Sequence, residues 1–162
     1  MTASPAPDGF DQAFPAIYRA AFSAARRILR DEHAADDVAV DACYRAARHW
    51  DQVSTYAGPW TVRVASNLAI DTARRSGRRS RFRERARTSP ATSSDRLDLV
   101  DALRRLPKRQ REVVALRYLA DLSESETAQA LGIAPGTVKI HAHRGLAALR
   151  AHLGPVDLEA AS

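Results

Sequence analysis

The sequence has few of the residues that cross-link chains, bind metals or fill aromatic cores. Its 162 residues include one cysteine, Cys43, and only 6% are aromatic. A single cysteine cannot form an internal disulfide, and Cys43 has no cysteine or histidine companion at metal-ligand spacing. We therefore expect Cys43 to be a small buried or half-buried apolar residue, and we expect neither a metal ion nor another cofactor.

Long apolar segments are also missing. The sequence contains no run of about 18 uncharged apolar residues and no basic-then-apolar start. We therefore expect neither a membrane span nor a signal peptide, and a cytoplasmic protein. The hydrophobic content of 45% still permits real cores, built mostly from alanine, leucine and valine.

The whole chain carries a net charge of +6, and its positive charge is concentrated in the middle of the sequence. Residues 61–90 hold nine basic and two acidic side chains, and residues 91–120 hold seven and four. A polyanion bound across this band would release counterions, so its affinity would depend on salt. The alternative is a solvated, arginine-rich linker.

The segment Leu122–Arg150, LSESETAQALGIAPGTVKIHAHRGLAALR, predicts two short helices joined by a tight turn. Ser123 and Glu126 have the spacing of a capping box. Gly132 can enter the left-handed turn that ends the first helix, and Pro135 suits the first turn of the second. The apolar stripe of the second helix consists of Val138, Ala142, Gly145 and Leu149.

The opposite face of this second helix suits a DNA major groove. Thr137 or Arg144 could reach base edges or phosphates, and Ile140 could contact a thymine methyl. An ordinary helical hairpin with a solvated polar face is the alternative. The residues of this face are Thr137, Lys139, Ile140, His143 and Arg144.

The spacing of apolar residues in the rest of the chain also predicts helices, so we expect an all-α protein of two small helical domains. A helix from Phe10 has Phe14 on its core face, a second runs from about Ala34 to Trp50, and a third from Pro59 to about Arg75, after a loop. The expected units are a disordered lead-in at 1–9, a domain at 10–75, a flexible basic linker at 76–94, a domain at 95–153 and a tail at 154–162.

Two helix faces in the first domain carry side chains that are suited to binding a partner. Apolar and charged side chains mix on the outer face of the second helix, which is typical of a surface that docks a partner. The alternative is local stabilisation by pairs such as Asp41 with Arg45. This face comprises Asp37, Val40, Asp41, Tyr44 and Arg48.

The outward face of the third helix suits unpaired bases, because it combines an amide with arginines beside a loop that holds an aromatic side chain. A solvated helix end with favourable charge placement is the competing interpretation. This face comprises Arg63, Asn67, Ile70, Asp71 and Arg74, and Arg75 follows it.

At this point the chain resembles an extracytoplasmic-function sigma factor of the bacterial sigma-70 family, the promoter-specificity subunit of RNA polymerase. The resemblance covers nearly all of residues 10–150. It is carried by DDVAVDACYRAARHW, WTVRVASNLAIDTARR and LRRLPKRQREVVALRYLADLSESETAQALGIAPGTVKIHAHRGLAALR.

The resemblance implies a non-enzymatic transcription initiation factor with three surfaces. The partners it implies are core RNA polymerase, through the clamp coiled coil and the flap, promoter DNA, and an anti-sigma factor. The outer face of the second helix, defined above, would dock on the clamp. The −10 element would be held by Tyr56, Trp60, Arg63, Asn67, Asp71, Arg74 and Arg75. The −35 element would be read by Thr137, Lys139, Ile140, His141, His143 and Arg144.

The chain departs from the family pattern at several positions. Members often have glutamine in place of Val40, an aromatic in place of Cys43 and arginine in place of Ser66. They tend to have Ser-Arg where this chain has Ile140 and His141, so the promoter sequence cannot be transferred from relatives.

Two other functions remain open at this stage. The segment GTVKIHAHR also resembles the output domain of LuxR-type regulators, which would require a strand-containing receiver or a ligand domain in the first half. A metal-dependent nuclease could use Asp36, Asp37 and Asp41, although no histidine or further carboxylate completes that site.

Overall fold

The computed structural model describes residues 7–84 and 94–153, and the described part folds into helices. The front half, residues 7–84, contains α1 (Phe10–Leu29), α2 (Glu32–Arg48), α3 (Trp50–Val53), a 3₁₀ turn (Ser54–Tyr56) and α4 (Ala57–Glu84). The back half, residues 94–153, contains α5 (Ser94–Arg105), α6 (Lys108–Val114), a π-helical turn (Ala115–Leu119), α7 (Glu124–Leu131) and α8 (Pro135–Leu153). The predicted all-α fold is confirmed.

The front half is a bundle of α1, α2 and α4, which all contact one another. Small side chains let these helices approach closely, and leucine, isoleucine and valine fill the remaining space. Nine alanines of this bundle are fully buried: Ala21, Ala25, Ala35, Ala39, Ala42, Ala46, Ala65, Ala69 and Ala73. This composition explains how a chain with few aromatics forms a core.

Aromatic side chains close one end of the front half. The rings of Phe10 and Trp50 meet edge to face at 5.2 Å, and the Trp50 indole donates a 2.9 Å hydrogen bond to the Asp8 carbonyl. Cys43 lies in the same cluster and is 1% exposed. Burial raises the pKa of its thiol to about 11, so the thiol is neutral and unreactive near pH 7. The expectation that Cys43 is a buried apolar residue is confirmed.

The back half contains the helix-turn-helix in the predicted form. Ser123 and Glu126 make both hydrogen bonds of the capping box at the start of α7. These bonds hold the pKa of the Glu126 carboxyl below its ordinary value. Gly132 ends α7 in the left-handed conformation with φ 64°, and Pro135 is the first residue of α8. The buried residues of α8 are those of the predicted stripe: Val138, Ala142, Gly145 and Leu149.

We expect the capping box to contribute measurably to stability. Ser123→Ala leaves the Glu126 amide without its side-chain acceptor, which should lower the free energy of unfolding by about 1 kcal/mol. Urea denaturation followed by circular dichroism would measure this loss. Ser125→Ala removes an exposed serine inside the same helix and is the matched control. Equal stability of the two variants would contradict the role of the cap.

The two halves pack against each other. One apolar cluster joins Ala73 of the front half to Leu103 and Val114 of the back half. A second joins Ala24 and Val62 to the helix-turn-helix residues. Because these side chains are almost fully buried, the contact between the halves is part of the hydrophobic core.

Several details differ from the sequence-based expectations. Phe14 was expected in the core but is 40% exposed, whereas Ile70 was expected to face outward but is 2% exposed. Ile70 belongs to the cluster that both halves share, and the sequence of one helix does not reveal that packing. The expected loop before the third helix is instead α3 and a 3₁₀ turn, and α4 ends at Glu84 rather than near Arg75.

Some expectations fall outside the described residues. These include residues 1–6 of the expected lead-in, 85–93 of the expected linker and the tail at 154–162. Across the residues that are described, no helix combines the length and the apolar character needed to cross a membrane.

Candidate functional site

The outer face of α2 is exposed and has an apolar centre. Val40 is 52% exposed and Tyr44 is 61% exposed, although both are large hydrophobic residues. Asp37 and Arg48 are exposed near them. Asp41 is half-buried and accepts hydrogen bonds of 2.9 and 3.1 Å from Arg45. An apolar centre with a charged rim is typical of a protein-binding surface.

The acidic residues of α2 do not form a metal site. The Tyr18 hydroxyl donates a hydrogen bond to Asp36, which helps to raise the pKa of Tyr18. Asp41 is paired with Arg45. In the part of the chain that the structure describes, no three histidine, cysteine or acidic groups come together as metal ligands. This arrangement does not support the nuclease hypothesis.

The candidate −10 residues of α4 share one face of the helix. Trp60, Arg63, Asn67, Asp71 and Arg74 recur at spacings of three and four residues, so their side chains lie in one row. Partial burial lowers the pKa of Arg74, and the neighbouring cations Arg104 and Arg78 add to this effect, while Asp71 and Asp101 oppose it. A row with this chemistry can bind bases and phosphates.

Two members of this row are already engaged by the back half. Arg63 donates to the Glu112 carboxylate at 3.0 and 3.3 Å, and to the Ala130 carbonyl at 3.3 Å. Asp71 accepts a hydrogen bond from Arg104. In this conformation these groups are therefore occupied by protein contacts.

The aromatic members lie at the other end of the row. Tyr56 and Trp60 are half-buried and pack against the Phe10–Trp50 cluster. The Trp60 ring lies 6.0 Å from the His49 ring. Partial exposure leaves part of each ring available to a base, and the packing fixes the orientation of the ring.

The face of α8 that we expect to bind DNA, called here the recognition face, is largely exposed to solvent. Ile140 is 51% exposed, and His143 and Arg144 are exposed as well. Lys139 lies 3.9 Å from the Glu124 carboxylate, a weak exposed pair that leaves the amine free to move. Thr137 and His141 are half-buried, and His141 Nδ1 is buried without a hydrogen-bond partner.

Sequence patterns did not predict which back-half residues contact α4. Glu112 is 2% exposed and also binds Arg109 at 3.2 Å, so it is a buried carboxylate with two cationic partners. The three-residue spacing of Arg109 and Glu112 beside an apolar run is the only signal in the sequence that could have identified it. The contact of Arg104 with Asp71 joins positions 33 residues apart and leaves no local pattern.

Known families match the two halves separately. The protein-family model described as "Sigma-70 region 2" matches residues 14–79, and the family model described as "Sigma-70, region 4" matches residues 96–149. The described front half is helical, so it offers no strand-containing receiver and does not support the LuxR-type hypothesis.

Similar proteins and structures agree with these matches. The RNA polymerase sigma-E factor of Streptomyces avermitilis is 35% identical, covering 84% of this chain and 80% of that protein. The sigma factor SigL of Mycobacterium tuberculosis is 33% identical and covers 78% of each chain. The structure of sigma factor RpoE with the anti-sigma factor NepR from Bartonella quintana has the same fold. Its TM-score is 0.54 at 24% identity, covering 91% of this chain and 98% of that one.

Proposed function

This chain belongs to the extracytoplasmic-function sigma factors of the sigma-70 family, and we propose that its three candidate surfaces divide the work of promoter-directed initiation. The observation that carries the proposal is their arrangement. An exposed apolar face lies on α2, a row of cations, amide and aromatics lies on α4, and an open recognition face lies on α8. Each surface falls within a matched region, 14–79 or 96–149.

The front half binds core RNA polymerase and the −10 element. Val40 and Tyr44 contact the clamp coiled coil, with Asp37, Asp41 and Arg48 as the charged rim. The α4 row takes the separated −10 strand, in which Asn67 can hydrogen-bond to a base edge. Tyr56 and Trp60 stack on bases, Arg63, Arg74 and Arg75 pair with phosphates, and Asp71 accepts from base amines.

The back half reads the −35 element as a duplex. Ile140 contacts a thymine methyl, and Arg144 donates to a base edge or a phosphate. The other contacts of this face come from Thr137, Lys139, His141 and His143. The back half also contacts the polymerase flap.

No covalent chemistry is required, so we propose that the chain is not an enzyme. Binding to the polymerase and two DNA elements offsets the few kcal/mol that each unstacked base costs. Since both halves belong to one chain, each raises the effective concentration of the other. The bacterial polymerase works in the cytoplasm, where we place this chain. The known structures of RpoE with NepR and of CnrH with the cytosolic domain of CnrY suggest an anti-sigma partner.

Reconstitution with core RNA polymerase tests this function directly. Core enzyme alone and core enzyme with this chain would be compared on genomic fragments from the source organism, by sequencing the 5′ ends of the transcripts. We expect start sites that appear only with the chain and that share two upstream elements. If no start site depends on the chain, although it co-purifies with core enzyme, the proposed function is wrong.

A substitution on α8 tests the −35 assignment. We expect Arg144→Ala to weaken binding to a −35 duplex by about tenfold, because a charged donor to DNA is lost. The duplex comes from a promoter found in the transcription experiment, and fluorescence anisotropy measures its affinity. Arg150→Ala removes an exposed arginine further along the same helix and serves as the control. Equal affinities of both variants and the wild type would refute the assignment.

A further inference from the structure

An open cleft lies beside the last turns of α1, and none of its lining residues belongs to the three surfaces proposed above. Its volume of about 420 Å³ is within the range of pockets that bind small ligands. We propose that this cleft binds a free nucleotide, with the phosphates on its guanidiniums and the base against its aromatic ring. The lining residues are Phe22, Ser23, Arg26, Arg27 and Arg30.

Arg30 ends α1 in a strained backbone conformation. Its φ of 55° and ψ of 21° are left-handed, a conformation that glycine usually adopts at the end of a helix because a Cβ is unfavourable there. The Arg30 side chain is exposed, and no other described residue forms an ion pair or hydrogen bond with it. Since nothing in the described chain uses this guanidinium, the strain is best explained by a ligand that does.

The other two arginines of the cleft are held only by exposed ion pairs. Arg26 lies 3.2 Å from the Glu32 carboxylate, and Arg27 lies 3.6 Å from that of Asp121. All four side chains are at least half exposed, so neither pair contributes much to stability. A phosphate offers more charge and more acceptor oxygens to a planar guanidinium than a carboxylate does, and it can therefore replace both acids.

The charge of the cleft suits a diphosphate better than a single phosphate. Its three arginines face two carboxylates, so the cleft remains positive even while both ion pairs are intact. A single phosphate group carries roughly two negative charges, too few to match three guanidiniums. The negative end of the α1 dipole opposes any anion, but it is equivalent to only about half a charge. The arginines therefore outweigh the dipole.

Phe22 gives the cleft a flat apolar wall. Its ring stacks on that of Tyr18, with the centroids 6.0 Å apart and the planes inclined by 19°. Tyr18 is fixed in turn, because its hydroxyl donates a hydrogen bond to Asp36. Phe22 is half-buried, so its ring is oriented by the protein and still partly accessible. Every base can stack on such a ring, so the site should select nucleotides as a class rather than one base.

Calorimetric titration of the full free chain tests the site without polymerase or promoter DNA, so the result does not depend on the proposed function. At low salt, we expect ADP to bind one-to-one and more tightly than inorganic pyrophosphate, because only ADP has a base to stack. Added salt should weaken both, since the guanidiniums are exposed. If neither ligand binds at millimolar concentration, the proposal is wrong.

Arg30→Gly separates ligand binding from folding. Glycine relieves the left-handed strain, so this variant should be at least as stable as the wild-type chain in urea denaturation. It also removes one charged donor, and the affinity for ADP should fall by about tenfold. Arg19→Ala removes an exposed arginine of α1 that does not line the cleft, and it should leave the affinity unchanged. Equal affinities of the two variants would overturn the proposal.

Phe22→Leu tests the position of the base. Leucine keeps an apolar side chain at this position but has no flat ring, so the affinity for ADP should fall by about fivefold, while that for pyrophosphate should not change. Unchanged binding of both ligands would show that the cleft recognises phosphates alone, which contradicts a nucleotide site.

A short single-stranded oligonucleotide offers the same bases and phosphates, and it distinguishes a free nucleotide from a nucleic-acid strand. We expect it to bind no more tightly than ADP, and Arg30→Gly should have little effect on it. If the oligonucleotide binds the wild-type chain more tightly than ADP and loses that affinity in Arg30→Gly, the cleft binds a strand, and the proposal of a free nucleotide is wrong.

Discussion

Gly145→Val is expected to lower the free energy of unfolding by about 3 kcal/mol and to abolish −35 binding, because Gly145 is the contact point between α6 and α8. A Cβ at this position would lie 2.6 Å from Val114 Cγ2 and 3.3 Å from the Gln110 carbonyl oxygen. The valine neighbour is stiff at χ1 and the carbonyl belongs to the backbone, so neither can move away cheaply. The recognition helix must shift instead.

Gly136 provides the matched control for this substitution. It lies in the first turn of the same helix, and a Cβ there would meet no heavy atom within 4 Å beyond its chain neighbours and the backbone of its own helix. Gly136→Val should therefore change the free energy of unfolding by less than about 1 kcal/mol. Urea denaturation measures both variants under identical conditions. Similar stabilities would show that α6 and α8 do not pack as closely at Gly145 as the structure indicates.

Local patterns predicted the helix-turn-helix and most of the helices, but not α3, the 3₁₀ turn or the end of α4. The capping box at Ser123, the turn at Gly132 and the start of α8 at Pro135 each depend on residues within one or two turns, so the sequence predicts them directly. The stripe of α8 was also predicted in full. The apolar stripes predicted on α1 and α4 were less accurate. Phe14 was expected to be buried but is exposed, and Ile70 was expected to be exposed but is buried.

The packing of the two halves could not be predicted from local patterns. It joins Arg63 to Glu112 and Asp71 to Arg104, pairs separated by 49 and 33 residues. The helical patterns predict one buried face for each helix and an outward face that is free to bind a partner or DNA, which is correct for an isolated domain. In the chain, α4 packs against α1 and α2 on one side and makes further contacts with back-half helices on the other. A residue can therefore have the right chemistry for DNA, as Arg63 does, and still be bound to protein in the free molecule.

The residues proposed to bind DNA and polymerase remain predictions, and the exposed face of α2 offers the sharpest test among them. Tyr44→Ala removes a ring that is 61% exposed, so the stability of the free chain should change by less than about 0.5 kcal/mol. If the ring anchors the clamp contact, its loss should weaken binding to core RNA polymerase by about 30-fold, the effect of an interface hot spot of about 2 kcal/mol. Biolayer interferometry with immobilised core enzyme and no DNA measures this affinity.

Ile140→Ala completes the experiment, because it removes a second exposed apolar side chain, 51% exposed, from the recognition face of α8. It should leave core binding unchanged and weaken binding to the −35 duplex, whereas Tyr44→Ala should do the reverse. Opposite losses in the two assays would assign polymerase binding to α2 and duplex reading to α8, since neither variant would be generally defective. If Tyr44→Ala retains the core affinity of the wild-type chain, the apolar centre of α2 is not the clamp contact, and the polymerase must bind another surface of the front half.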